Sequence, residues 1–157
     1  MKYIDKQIQL KKSTLLLQSD ENSSRGTIVL FIPGISGKAF SDRFQPLVDV
    51  CLQSELPIAR MNAWDSSDEV VTHSWAYFQE AICEVTTHLE VLGYKKIIAV
   101  GKSFGGGLLL SIHNESLKNK ILWAPAVGVE DSNTLDRLKG RVLSNISSLL
   151  DIKLSRS

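Results

Sequence analysis

The stretch KKIIAVGKSFGGGLLL, residues 95–110, decides the fold. An apolar run at residues 97–100 leads directly into a glycine-rich turn at residues 101–105, and a helix-compatible segment follows at residues 106–112. Two motifs overlap here. G-K-S is the end of a phosphate-binding P-loop, whereas G-K-S-F-G fits the G-x-S-x-G pattern of a nucleophile elbow, a strand-to-helix turn that exposes a serine.

Spacing separates the two motifs. A P-loop requires G-x-x-x-x-G-K-[ST], and its first glycine would fall on Lys96. Residues 97–100 are typical of a buried strand, so no flexible loop remains to wrap around phosphates. The elbow requires a strand, a tight turn and a helix in immediate succession, and this segment has that order. We therefore favour Ser103 as a candidate nucleophile over an ATP-binding loop in which Lys102 holds phosphate.

Composition places the chain among soluble globular proteins. It has 157 residues, 43% of them hydrophobic and 22% charged, with a net charge of +1. This balance gives no electrostatic reason to expect a nucleic-acid partner. No segment has the apolar length of a membrane span, and the N-terminal MKYIDKQIQLKK lacks the apolar core of an export signal. We expect a cytoplasmic protein in which the two cysteines, Cys51 and Cys83, are reduced and inert.

Strands alternate with helices along the chain, which predicts an α/β fold: a mostly parallel sheet with helices on both faces. Four apolar runs form its predicted centre: TIVLFI, PIARM, IIAV and KILWA. Ligands bind at the carboxyl ends of the strands in such sheets. The loops expected to converge there around Ser103 are residues 33–37, 64–68, 101–105 and 124–128.

Flanking elements complete the prediction. The first 20 residues are expected to form a pair of strands, and residues 44–55 a helix. Apolar residues recur every three or four positions from residue 68 to residue 92, which predicts one continuous helix ended by Gly93. Residues 129–157 are expected to form a helical tail.

Three stretches resemble the α/β-hydrolase family, and more narrowly its small esterase-like members. They are IVLFIPGISG at residues 28–37, IAVGKSFGG at residues 98–106 and ILWAPAV at residues 121–127. The likeness extends over residues 27–128, the expected core of a single domain comprising residues 1–157. It implies the α/β-hydrolase sheet without its last two strands.

The resemblance also implies roles for individual residues. Ser103 would be the nucleophile, and the backbone N–H groups of Ile35 and Phe104 would form the oxyanion hole. Pro33 replaces the histidine usual in the family, which is tolerable because the hole uses backbone groups.

Three residues are candidates for binding substrate: Gly34, Ser36 and Lys102. Lys102 either favours an anionic substrate or is simply a solvated side chain.

The chain departs from the family after the elbow, where the acid and the histidine of the triad normally follow the serine. His113 would lie about 15 Å from Ser103 along the same helix, and His88 near the opposite end of the sheet. His73 starts near the correct edge and is a candidate base, although a solvated side chain is the simpler interpretation. Asp131 and Asp136 follow the strand after the elbow and either replace the triad acid or cap a helix.

The function that these residues predict is a serine hydrolase cleaving a carboxylic ester or related acyl group through an acyl-enzyme on Ser103. Its activity in this form is expected to be weak or absent, because the triad is incomplete. Either the chain is the N-terminal part of a longer hydrolase, or it is a non-catalytic module that binds a ligand or a partner. We expect a small-molecule acyl substrate and no metal or organic cofactor, and the sequence leaves the oligomeric state open.

Overall fold

A computed structural model describes residues 3–20, 23 and 26–125, and the statements below concern these residues. Their strands form one six-stranded sheet in the order β1-β2-β4-β3-β5-β6. The strands are β1 (Tyr3–Gln9), β2 (Thr14–Asp20), β3 (Thr27–Ile32), β4 (Ile58–Asn62), β5 (Lys96–Lys102) and β6 (Asn119–Trp123). β2 is antiparallel to β1 and β4, and the other neighbouring pairs are parallel. The predicted N-terminal strand pair and the mostly parallel sheet are confirmed.

Helices cover both faces of this sheet. They are α1 (Gln45–Gln53), α2 (Ser67–Thr72), α3 (Trp75–Val91) and α4 (Phe104–Ser111). The central strand β3 shows why both faces must be covered, since Ile28 and Leu30 belong to one buried cluster, while Val29 and Phe31 belong to the other. The first cluster includes residues of α3 and α4, and the second includes residues of α1.

The predicted single helix over residues 68–92 is wrong. Both His73 and Ser74 have extended backbones, with ψ of 153° and 157°, and they separate α2 from α3. The physical reason is capping: the Ser74 side chain accepts a hydrogen bond from the Tyr77 N–H, which starts a new helix. Periodicity alone missed this break. Val71 is 81% exposed and Trp75 43% exposed, so the buried stripe starts only at Phe78.

Three further predictions concern the two cysteines, a membrane span and the C-terminal tail. Cys51 and Cys83 are free thiols, and burial raises the pKa of Cys51. None of the helices in the described ranges has the length and apolarity to cross a membrane. The predicted tail at residues 129–157, with Asp131 and Asp136, lies outside the described residues.

Candidate active site

Ser103 occupies the turn between β5 and α4. Its backbone is left-handed, with φ of 48° and ψ of −112°, a conformation that costs a non-glycine residue about 1–3 kcal/mol. Its N–H donates to the carbonyl oxygen of Trp123 at 2.9 Å, at the end of β6. The predicted order of strand, turn and helix is confirmed, although β5 continues through Lys102 and α4 begins at Phe104.

Two glycines make this tight turn possible. A Cβ added to Gly101 would lie 2.7 Å from the carbonyl oxygen of Gly105, and one added to Gly105 would lie 2.5 Å from that of Pro33. Both distances are too short for any side chain. The start of α4 therefore packs directly on the end of β5 and on the loop after β3. This close packing explains why glycine is required inside the first turn of α4 as well as in the turn before it.

The loop at residues 33–37 lies against the elbow. The Gly105 N–H donates to the carbonyl oxygen of Pro33 at 3.1 Å. A Cβ added to Gly34 would lie 3.4 Å from the Cβ of Ser103, so the backbone of Gly34 packs beside the serine. The carbonyl oxygen of Gly34 is itself held by two donors, Trp64 Nε1 and the Gly37 N–H, each at 2.9 Å. Hydrogen bonds thus fix the loop on two sides.

In the described part of the chain, two backbone N–H groups beside Ser103 are unpaired. Within the described ranges, neither the Ile35 N–H nor the Phe104 N–H has a hydrogen-bond partner. Phe104 is the first residue of α4, and the first N–H groups of a helix have no partner inside it. These are the two donors that the sequence assigned to an oxyanion hole, and the fold places both next to residues that contact Ser103 or Gly105.

The Phe104 side chain is held by three other aromatic rings. Its centroid lies 5.2 Å from that of Trp64, 5.5 Å from that of Trp75 and 5.5 Å from that of Phe78, all edge to face. Such pairs contribute about 0.5–1.5 kcal/mol beyond their buried area. The residue after the serine is therefore anchored on the α3 side of the sheet, which fixes the direction of its N–H.

Lys102 and Ser36 lie on the other side of the elbow. The Lys102 Nζ is 5.3 Å from the centroid of Phe44 and 5.2 Å from that of Trp123, so the ammonium group lies near both rings. The Ser36 hydroxyl accepts a hydrogen bond from Arg43 Nη2 at 3.1 Å. Lys102 is therefore held at the elbow rather than extended freely into solvent.

None of the three histidines is hydrogen bonded to Ser103, whose Oγ has no partner among the residues described. His73 is exposed and packs its ring on Tyr77, at 4.2 Å between centroids. His88 lies late in α3 with its Nε2 buried and without a partner in the described part of the chain, and His113 is exposed beyond the end of α4.

Two residues of this site received no role from the sequence: Trp64, which falls in the predicted converging loop at residues 64–68, and Arg43. Trp64 follows β4 at the edge where the loops converge, and a tryptophan at such a position suggests that its indole N–H has a specific partner. Arg43 gave no comparable signal, because it looks like any charged residue before a helix. Its guanidinium donates to Ser36 and to the carbonyl oxygen of Gly37.

No protein-family model matches this sequence, and no curated protein does either. Solved structures do match its fold. A protein from Klebsiella pneumoniae whose name assigns it to the dienelactone hydrolases is similar with a TM-score of 0.67 and 17% identity, over 84% of this chain and 64% of the other.

Two further structures extend the comparison. The thioesterase domain from the curacin biosynthetic pathway has a TM-score of 0.61 and 19% identity, over 94% of this chain and 55% of that domain. A carboxyl esterase from Bacillus coagulans has a TM-score of 0.54 and 13% identity, over 78% of this chain and 44% of the esterase. This chain thus spans less than two-thirds of each structure. Its fold is α/β-hydrolase-like, as the sequence predicted.

Proposed function

We propose that the chain carries a serine hydrolase site, which cleaves a carboxylic ester or related acyl group through an acyl-enzyme on Ser103. The observation that supports this most strongly is the left-handed backbone of Ser103 at the N terminus of α4, with Gly34 packed against its Cβ. A serine keeps such a conformation only where the surrounding packing enforces it, and this kind of strain is concentrated at functional sites.

The unpaired N–H groups account for the chemistry. In the proposed reaction, Ser103 Oγ bonds to the acyl carbon, and the carbonyl oxygen becomes an oxyanion that the Ile35 and Phe104 N–H groups stabilise. When the carbonyl re-forms, the bond to the leaving oxygen breaks and that oxygen takes a proton from solvent to leave as the alcohol. Water then hydrolyses the acyl-enzyme, which releases the acid and regenerates the Ser103 hydroxyl. A single donor of this kind contributes about 3 kcal/mol to lowering the barrier. The N terminus of α4 adds a positive partial charge.

We expect removal of the proton from the Ser103 hydroxyl to limit the rate of the proposed reaction. A serine hydroxyl is a poor nucleophile without a positioned base, and the Ser103 Oγ makes no hydrogen bond in the described ranges. We therefore expect residues 1–157 to hydrolyse esters slowly, with solvent accepting the proton.

Hydrolysis of p-nitrophenyl acetate at high protein concentration tests the proposal. We expect a slow release of p-nitrophenol above the buffer rate, which Ser103→Ala abolishes. Ser54→Ala is the matched control, because Ser54 is exposed at the end of α1 and its side chain makes no hydrogen bond in the described ranges, so its removal should leave the rate unchanged. An equal rate in the wild type and Ser103→Ala would overturn the proposal.

A non-catalytic binding module is the second candidate. No base accepts a hydrogen bond from Ser103 Oγ among the described residues, and this absence favours the second candidate. Saturable binding of small acyl compounds, without any turnover or covalent adduct on Ser103, would establish this function in place of the first.

A further inference from the structure

Two cations share one aromatic ring beside the elbow. The guanidinium carbon of Arg43 lies 4.6 Å from the centroid of Phe44, and the Lys102 Nζ lies 5.3 Å from the same centroid. Lys102 is also 5.2 Å from the ring of Trp123. Contacts of this kind hold a cation in place while leaving hydrogen-bond donors available to a ligand. Two positive charges are thus fixed on the side of the sheet that packs against α1.

Among the residues described, neither charge is neutralised by a carboxylate. Within the residues that the structure describes, no Asp or Glu oxygen lies within 4.0 Å of Lys102 or Arg43, although Asp42 is the chain neighbour of Arg43. Arg43 Nη2 donates to Ser36 Oγ at 3.1 Å and to the carbonyl oxygen of Gly37 at 3.2 Å. The Nη1 and Nε donors of Arg43 have no partner in these ranges, so an anion can still bind to them.

Both cations lie next to residues of the proposed acyl site. Lys102 directly precedes Ser103, and Arg43 binds Ser36, the residue after Ile35. The ring of Phe104 packs on the α3 side of the sheet, so the two cations and this ring lie on opposite sides of the elbow. A molecule whose carbonyl reaches Ser103 can therefore place a charged end near Phe44.

We propose that Arg43 and Lys102 form a subsite for an anionic oxygen group, carboxylate or phosphate, and that the preferred ligands are acyl compounds that carry such a group. This inference rests on the proposed function for the location of the acyl group. The Arg43 guanidinium can donate a hydrogen bond from Nη1 or Nε to a carboxylate or phosphate oxygen, and the ammonium adds a point charge. Charge-assisted hydrogen bonds at a partly exposed site account for roughly a tenfold preference over a neutral ligand.

Binding of matched esters tests this subsite. Monoethyl adipate carries a carboxylate, diethyl adipate does not, and inorganic phosphate serves as the phosphate probe. Titrations at low ionic strength, followed by NMR, should show roughly tenfold tighter binding of the monoester than of the diester. The preference should shrink at high salt, because screening weakens partly exposed charges. Competition by phosphate would show that the subsite also accepts phosphate, whereas its absence would restrict the subsite to carboxylates.

Variants assign the preference to the two cations. Arg43→Gln and Lys102→Met should each remove most of it, whereas Arg43→Lys, which keeps a charge, should retain part. Lys118→Met is the matched control: Lys118 is exposed beside Glu115 and should not affect binding. Equal binding of both esters, or a preference unchanged in Arg43→Gln and Lys102→Met, would overturn the subsite.

The Ser103→Ala variant separates this inference from the proposed function. It removes the hydroxyl and leaves both cations in place, so the preference for the monoester should persist. Persistence without hydrolysis in the wild type would contradict the hydrolase and support the subsite. Hydrolysis without any preference would contradict the subsite alone.

Discussion

The carbonyl oxygen of Pro33 accepts a hydrogen bond from the Gly105 N–H at 3.1 Å. This bond joins the end of β3 to the start of α4, two segments that are far apart in the chain. Ile35 lies two residues after one partner and Phe104 directly before the other. One backbone contact therefore sets the relative positions of both proposed oxyanion donors.

Gly105→Ala should disrupt this junction. The added Cβ would lie 2.5 Å from the carbonyl oxygen of Pro33. Either the hydrogen bond from the Gly105 N–H to Pro33 must break, or the backbone of the turn must shift. We expect a loss of about 1–3 kcal/mol in the free energy of unfolding, measured by urea denaturation.

Gly34→Ala is the matched comparison. Its Cβ would lie 3.4 Å from the Cβ of Ser103, an ordinary contact, so stability should be nearly unchanged while access to Ser103 is reduced. Slower p-nitrophenyl acetate hydrolysis with wild-type stability would bear this out. If Gly105→Ala proved as stable as Gly34→Ala, the inference that Gly105 packs too closely on Pro33 for a side chain would be wrong.

Arg60 binds the chain at Ala39, just after the loop at residues 33–37. Its side chain is 3% exposed and donates to Gln18 Oε1 at 2.7 Å and to the carbonyl oxygen of Ala39 at 3.2 Å. Burial lowers the pKa of Arg60, and the charges of Asp5 and Asp42 oppose that shift.

Arg60→Met should therefore cost about 1–3 kcal/mol in the free energy of unfolding, because two buried acceptors lose their donor. Urea denaturation measures the loss, with the exposed Lys118→Met as control. A stability equal to the wild type would mean that the cost of burying the charge cancels its hydrogen bonds.

Lys120 gives a prediction about pH. Its Nζ donates to the carbonyl oxygens of Leu109 and Ile112 at the end of α4, at 2.7 and 2.5 Å. Burial lowers the pKa of Lys120 below its ordinary value of 10.5. The folded state thus releases this proton at a lower pH than the unfolded state, so the contribution of Lys120 to stability should increase as the pH rises toward 10.5.

The comparison of wild type with Lys120→Met isolates this effect from the other lysines. Between about pH 8 and about pH 10, the difference in unfolding free energy should shift in favour of the wild type. A shift in favour of the variant would mean that folding stabilises the charged ammonium.

His73→Ala tests the remaining candidate base. The His73 ring is exposed and packs on Tyr77, without a side-chain hydrogen bond in the described ranges. The rate of p-nitrophenyl acetate hydrolysis should therefore change less than about twofold, whereas loss of a general base typically costs a factor of a hundred or more. A large decrease would identify His73 as the base.

The elbow was predictable because its chemistry is local. Strand, glycine turn and helix follow one another in the sequence, and the tight approach of Gly101 to Gly105 requires residues without side chains. The break at His73 and Ser74 was harder to predict, since the apolar spacing continues through it. Ser74, a favourable N-cap residue, was the sequence signal for a new helix start, whereas the apolar periodicity indicated a continuous helix.

The contacts that hold the loop at residues 33–37 could not be predicted. Trp64 reaches it from 30 residues along the chain, whereas Arg43 is only six and seven residues from its partners. These partners are backbone carbonyls and one hydroxyl, which leave no pattern in the sequence. The order of the strands brings Trp64 to the loop, and spacing along the chain does not encode that contact.

Fluorophosphonate labelling with peptide mapping tests most directly whether Ser103 is an accessible nucleophile at the elbow. After prolonged incubation, we expect a single adduct, on Ser103, formed slowly because no base is hydrogen bonded to its Oγ in the described ranges. The adduct should be absent in Ser103→Ala and present in Ser54→Ala. An unmodified Ser103, or equal labelling of other serines, would contradict the account.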